Sequence, residues 1–132
     1  MTDIEQGRLE PIRRWHRAVN ERDQAMAAEV VTADVSVGGP RGRAEGVAVF
    51  LDWVEHSGIS LQPVAWHTIS PDVTVVEQDA RWPTEAGGST APQRVATVFQ
   101  LVGSRIAAVV RCEDVTAARA VAMELTNSTQ TS

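Results

Sequence analysis

Between Val75 and Trp82 the chain reads VVEQDARW, with Glu77, Asp79 and Arg81 at every second position of an otherwise apolar run. On an extended backbone that spacing places all three charges on one face. Two carboxylates beside an arginine are the parts of an acid–base site. Burial raises a carboxylate's pKa and a neighbouring cation lowers it, so their balance decides which group carries a proton. Arg111 and Glu113 repeat the alternation near the end of the chain, and an arginine's five donors can hold one carboxylate while orienting a second. Glu77, Asp79 and Glu113 are therefore candidate proton carriers, with Arg111 as electrostatic orienter. The same pattern has two structural readings. It fits a solvent-facing strand with Val76, Ala80 and Trp82 on the core, and it fits an ion-pair network that only holds the fold together.

The remaining chemistry-bearing residues are scattered. His16, His56 and His67 have no close-set cysteine or carboxylate partners, so no metal site is expected. No Ser-His-Asp order, Walker loop or Rossmann glycine fingerprint is present, and no cofactor is expected. The GGPRG stretch at 38–42 lacks the strand-to-helix context of a phosphate loop and reads as a turn. Trp15, Trp53 and Trp66 read as core or pocket walls, with stacking on a flat ligand as an alternative.

These residues must be positioned by a chain of 132 residues, the length of one domain, with 43% hydrophobic residues to build its core. We expect the domain to span 1–125, with 126–132 (TNSTQTS) a disordered polar tail. A net charge of −5 speaks against nucleic acid or an anionic membrane as partner. The lone Cys112 excludes an internal disulfide and fits a reducing cytoplasm. The first residues contain no apolar stretch of the signal-peptide kind, and no window holds the ~18 apolar residues of a membrane span.

Pro11 suits the first turn of a helix carrying Leu9, Ile12, Trp15 and Val19. Asp23 is placed to cap a short helix from Gln24 to Val31, and a brief strand follows at 34–37. Val47, Phe50, Leu51 and Val54 mark a third helix, ended by Gly58. Four β-rich runs come next, at 59–69, 73–82, 94–102 and 105–115, and an Ala-rich closing helix reaches Leu125. Helices followed by a strand meander read as α+β.

That order of elements, from about Leu9 to Val115, resembles the nuclear transport factor 2-like superfamily and, within it, the SnoaL-like proteins. The resemblance is carried by WHRAVNERD at 15–23, ADVSVGGPRG at 33–42, AEG at 44–46, VVEQ at 75–78, VFQLVGSRI at 98–106 and RCED at 111–114. It implies a cone-shaped curved antiparallel sheet packed on N-terminal helices, the NTF2-like or cystatin-like roll. It further implies a ligand pocket inside the cone and a homodimer formed through the outer sheet face. Threaded on that pattern, Glu77, Asp79 and Arg81 point inward with Val95, Thr97, Phe99, Val109, Arg111 and Glu113. Trp15, Val37, Trp53 and Trp66 complete the expected pocket, while Val76, Ala80, Trp82, Ala96 and Val98 face the partner. Two chemistries found on this fold match poorly. At the ketosteroid isomerase positions stand Trp15, Gly39 and Thr97. Against the limonene epoxide hydrolase pattern Asp79 fits, but Glu77 and Arg111 have their charges exchanged. SnoaL-like cyclases place an acid–base residue on the last strands, where Arg111 and Glu113 lie. The expectation is a cofactor-independent isomerase, cyclase or hydrolase for a small apolar oxygenated substrate; the alternative is a noncatalytic ligand-binding or dimerisation module.

Overall fold

The computed structural model describes residues 3–39, 42–85 and 87–130. Helix α1 (Asp3–Glu21) starts well before Pro11, which lies inside it and is buried. A proline there lacks the N–H for one helical hydrogen bond. Packing of Leu9, Ile12, Trp15 and Val19 on the core outweighs that loss. Asp23 caps α2 (Gln24–Val30) by accepting from the Met26 N–H at 3.1 Å. Val31, expected in α2, instead opens β1 (Val31–Gly39), as a run of β-branched residues favours. β2 (Gly42–Glu45) pairs antiparallel with β1, Gly39 facing Gly42. The turn expected at 38–42 falls partly on residues 40–41, outside the described residues. Helix α3 (Val47–His56) is followed by Gly58, whose φ of +64° and close Pro83 ring suit only glycine.

Strands β3 (Ser60–Ser70), β4 (Val73–Arg81), β5 (Gln93–Val102) and β6 (Arg105–Cys112) form the antiparallel meander. β1 joins it in parallel with β6, giving a curved, unclosed six-stranded sheet in the order β2-β1-β6-β5-β4-β3. Its inner face carries Val76, Ala80, Val95, Phe99, Leu101, Ile106 and Val109, packed against α1, α2 and α3. Its outer face carries Val73, Val75, Ala96, Val98, Val110 and Cys112. Helix α4 (Val115–Gln130) covers this outer layer, with Ala118 and Ala122 one turn apart letting it lie close.

Helix α4 of the same chain packs on the outer face expected to meet a partner subunit. The tail expected from 126 onward continues α4 to Gln130, where the Thr126 hydroxyl donates to the Ala122 carbonyl at 2.9 Å; residues 131–132 lie outside the described residues. Among the described residues, no helix is long and apolar enough to cross a membrane.

Candidate functional site

Between the inner sheet face, α1, α3 and the β1–β2 hairpin lies a hollow of about 410 Å³. That is within the size range of small-molecule sites. Trp15 from α1 and Phe50 and Trp53 from α3 give it three rings that stack on one another, with centroids 6.2–6.3 Å apart and planes within 15–23°. Trp15 and Phe50 are buried and Trp53 is half-buried, so a flat molecule lying on the Trp53 ring would be nearly parallel to the two rings behind it. Val37, Val49, Leu61 and Val109 supply aliphatic wall. At the hairpin, Gly38 has no side chain and the stem of Arg43 occupies that space, its Cγ 3.0 Å from where a Cβ would stand.

Behind this wall runs a buried polar chain. The His16 Nδ1–H donates to the Ile12 carbonyl at 2.8 Å, leaving Nε2 to accept from the Gln78 amide at 2.7 Å. Gln78 Oε1 in turn accepts from the Thr97 hydroxyl at 2.6 Å. His16, Gln78 and Thr97 are all buried, so each bond matters: a group stranded at this depth costs about 1–3 kcal/mol. Burial drives the His16 pKa down from 6.5 to about 4, against a smaller upward pull from the Ile12 carbonyl. The imidazole is therefore neutral, as its two partners require. Thr97 reaches the hollow with its hydrogen already committed, and offers an acceptor only.

Two polar groups at the hollow are less well served. Trp15 Nε1–H is buried without a hydrogen-bond partner, a rare condition that costs about 1–3 kcal/mol. Arg111, directly across from Thr97 in the β5–β6 register, is half-buried with its guanidinium 5.8 Å from the Trp82 ring centroid. It forms no ion pair among the described residues.

Neither a family model nor a curated protein matches the sequence. Solved structures do match its shape. An NTF2-like protein of unknown function from Cytophaga hutchinsonii aligns with a TM-score of 0.68 at 12% identity, over 79% of this chain and 87% of that one. A putative SnoaL-like polyketide cyclase from Jannaschia sp. gives 0.69 at 14%, over 84% and 88%. TerC, co-crystallised with polyporic acid, gives 0.71 at 18%, over 89% and 98%. The protein has the NTF2-like fold.

In this NTF2-like chain the expected site residues divide between the two faces of the sheet. Trp15, Val37, Trp53, Thr97, Val109 and Arg111 line the hollow. Val95 and Phe99 lie deeper in the inner core, Phe99 edge-on to Trp15 at 4.9 Å. Trp66 packs at the margin of that core, 5.9 Å from the His16 ring. Glu77 and Asp79 are on the opposite face. β4 pairs Val76 with Thr97 and Gln78 with Val95, so Val76, Gln78 and Ala80 point inward and the carboxylates outward. There Glu77 meets His67 at 2.7 Å and Asp79 meets Arg94 at 2.8 Å. Arg81 and Glu113 are exposed, Glu113 beyond the end of β6.

Energetics explain the parity. Turned inward, each carboxylate would enter the aromatic layer at a cost of several kcal/mol. Val76 and Ala80 would give up their places there, worth about 1.5–3 kcal/mol for the valine and about 0.8 kcal/mol for the alanine. Outward, the carboxylates keep water and a cationic or histidine partner. Gln78 and Arg43 were missed by sequence reasoning, the glycine stretch at 38–42 was read only as a turn, and His16 was noticed without its role. The signal was Gln78 itself, an amide in the inward parity of β4 between Val76 and Ala80.

Proposed function

We propose that this protein binds a small, flat, largely apolar molecule in the hollow, and that it does so without a carboxylate acid–base pair. The observation that carries this is the wall of three near-parallel rings, Trp15, Phe50 and Trp53, around space of small-molecule size. An isomerase, cyclase or epoxide hydrolase of the acid–base kind needs a proton carrier at that space. None of the described lining residues is a carboxylate or a histidine. His16 is withdrawn behind Gln78 and held neutral. The ligand-binding module is thus favoured over acid–base turnover by Glu77, Asp79 or Glu113. TerC's co-crystallisation with polyporic acid is consistent with small-molecule binding on this fold.

Tryptophan emission tests the proposal, since two of the chain's four tryptophans line the hollow. A flat aromatic probe such as 2-naphthol is expected to change the emission saturably. Val109→Phe, which fills the space, should abolish that response, while the double variant Glu77→Gln/Asp79→Asn should leave it intact. Binding that survives Val109→Phe but disappears with the carboxylates would overturn the proposal.

A further inference from the structure

The polar complement of the hollow is one-sided. Arg43 and Arg111 line it, and no described lining residue is acidic. This stands out in a chain where 17 acidic residues outnumber 12 basic ones. Elsewhere the arginines Arg14, Arg17 and Arg94 are each taken up by a carboxylate at 2.8 Å. Among the described residues Arg111 meets the face of Trp82, a contact that leaves its in-plane N–H donors unspent. A second donor lies deeper: the Trp15 indole N–H, partnerless in a residue 2% exposed that lines the same hollow. No acceptor among the described residues serves it. Among the described lining residues the side-chain acceptor is the Thr97 hydroxyl, whose hydrogen goes to Gln78.

We infer that the hollow takes a flat aromatic or polycyclic anion, with a carboxylate, phenolate or enolate oxygen attached to its ring system, in preference to a neutral molecule of the same shape. Arg111 matches the charge, the aromatic wall ending in Trp53 bounds the flat body, and the Trp15 N–H behind it is the nearest donor still without a partner among the described residues. Arg43, on the hairpin over Gly38, adds a second positive charge at the rim. A partly desolvated guanidinium is the side chain best suited to this task, because its fork pairs with both oxygens of a carboxylate and its charge is not lost at any ordinary pH. The inference rests on the hollow being the ligand site.

The test compares 2-naphthoate with 2-naphthamide, which share shape and differ in charge, by calorimetric titration at neutral pH. The wild-type protein is expected to prefer the acid by about tenfold or more, as a charge-assisted contact implies. Arg111→Met should remove the preference for the acid over the amide, and Arg111→Lys should restore part of it. Binding of the acid should also shift the Trp15 indole proton in a 1H–15N spectrum. Equal or tighter binding of the amide by the wild-type protein would overturn the inference and leave the ligand-binding proposal standing. Survival of the acid's preference in a folded Arg111→Met protein would likewise overturn it. Failure of both probes and of 2-naphthol to bind would bring down the two together.

Discussion

His16 is neutral because it is buried, and a neutral buried histidine makes stability depend on acid. Its pKa is 6.5 in an unfolded chain and about 4 in the fold; that gap is worth about 3 kcal/mol at about 1.36 kcal/mol per pH unit. Above pH 6.5 neither state holds the proton, and the folded state's stability is fully present. Between 6.5 and about 4 the unfolded chain takes up the proton and the folded one does not. Stability is therefore lost across that window and levels off below it. At pH 5 roughly 2 kcal/mol of it should be gone. Urea denaturation at pH 7.5 and pH 5 measures this when the wild-type protein is set beside His16→Gln. The variant is weaker at both pH values, but it has no imidazole at this position to titrate. His56, His67 and the carboxylates are common to both proteins and cancel in the comparison. The wild-type protein should lose about 2 kcal/mol more than the variant on acidification. Parallel pH dependences would refute the reasoning and place His16 in contact with water.

Gln78→Met keeps the side-chain volume but strands His16 Nε2 and the Thr97 hydroxyl in the core. It should cost about 2–4 kcal/mol in urea denaturation, being two buried groups left unpaired. Ala122→Asp sets a carboxylate between α4 and the outer sheet face. A loss of about 3 kcal/mol or more is expected, read as a lower melting temperature by circular dichroism. The same variant should make Cys112, buried beneath that helix, react faster with a thiol reagent.

The order of helices and strands was readable because each element carries its own period: four-residue spacing in α3, β-branched runs in β4 and β5, Asp23 as a cap. What could not be read was which side of β4 faces inward. A sheet with water on one side alternates apolar and polar, and the alternation then reveals its orientation. Here α1–α3 cover one face and α4 the other, so β4 is apolar at Val73, Val75 and Val76 in both parities. Glu77 and Asp79 mark only where the cover of α4 gives way to solvent. Deciding the parity requires the register between β4 and β5, and that is set across the long 82–92 connection, for which local sequence supplies no rule. Thr97, Val109 and Arg111 were read as inward from the family pattern, and the β5–β6 pairing of Thr97 with Arg111 and of Phe99 with Val109 keeps them on one face. His16 and Gln78 stand 62 positions apart, beyond the reach of any spacing argument.

The rear wall of the hollow is braced. Thr97, Val109 and Arg111 face the cavity, while their neighbours Ala96, Val98, Val110 and Cys112 press against α4. A bulkier guest cannot gain room by pushing the strands backward, since that would compress close-packed hydrocarbon. Adaptation is left to the front, where the glycines of the β1–β2 hairpin can bend. Selection for the size of the guest should therefore be rewritten most easily by changes in the hairpin, and least easily by changes in the sheet.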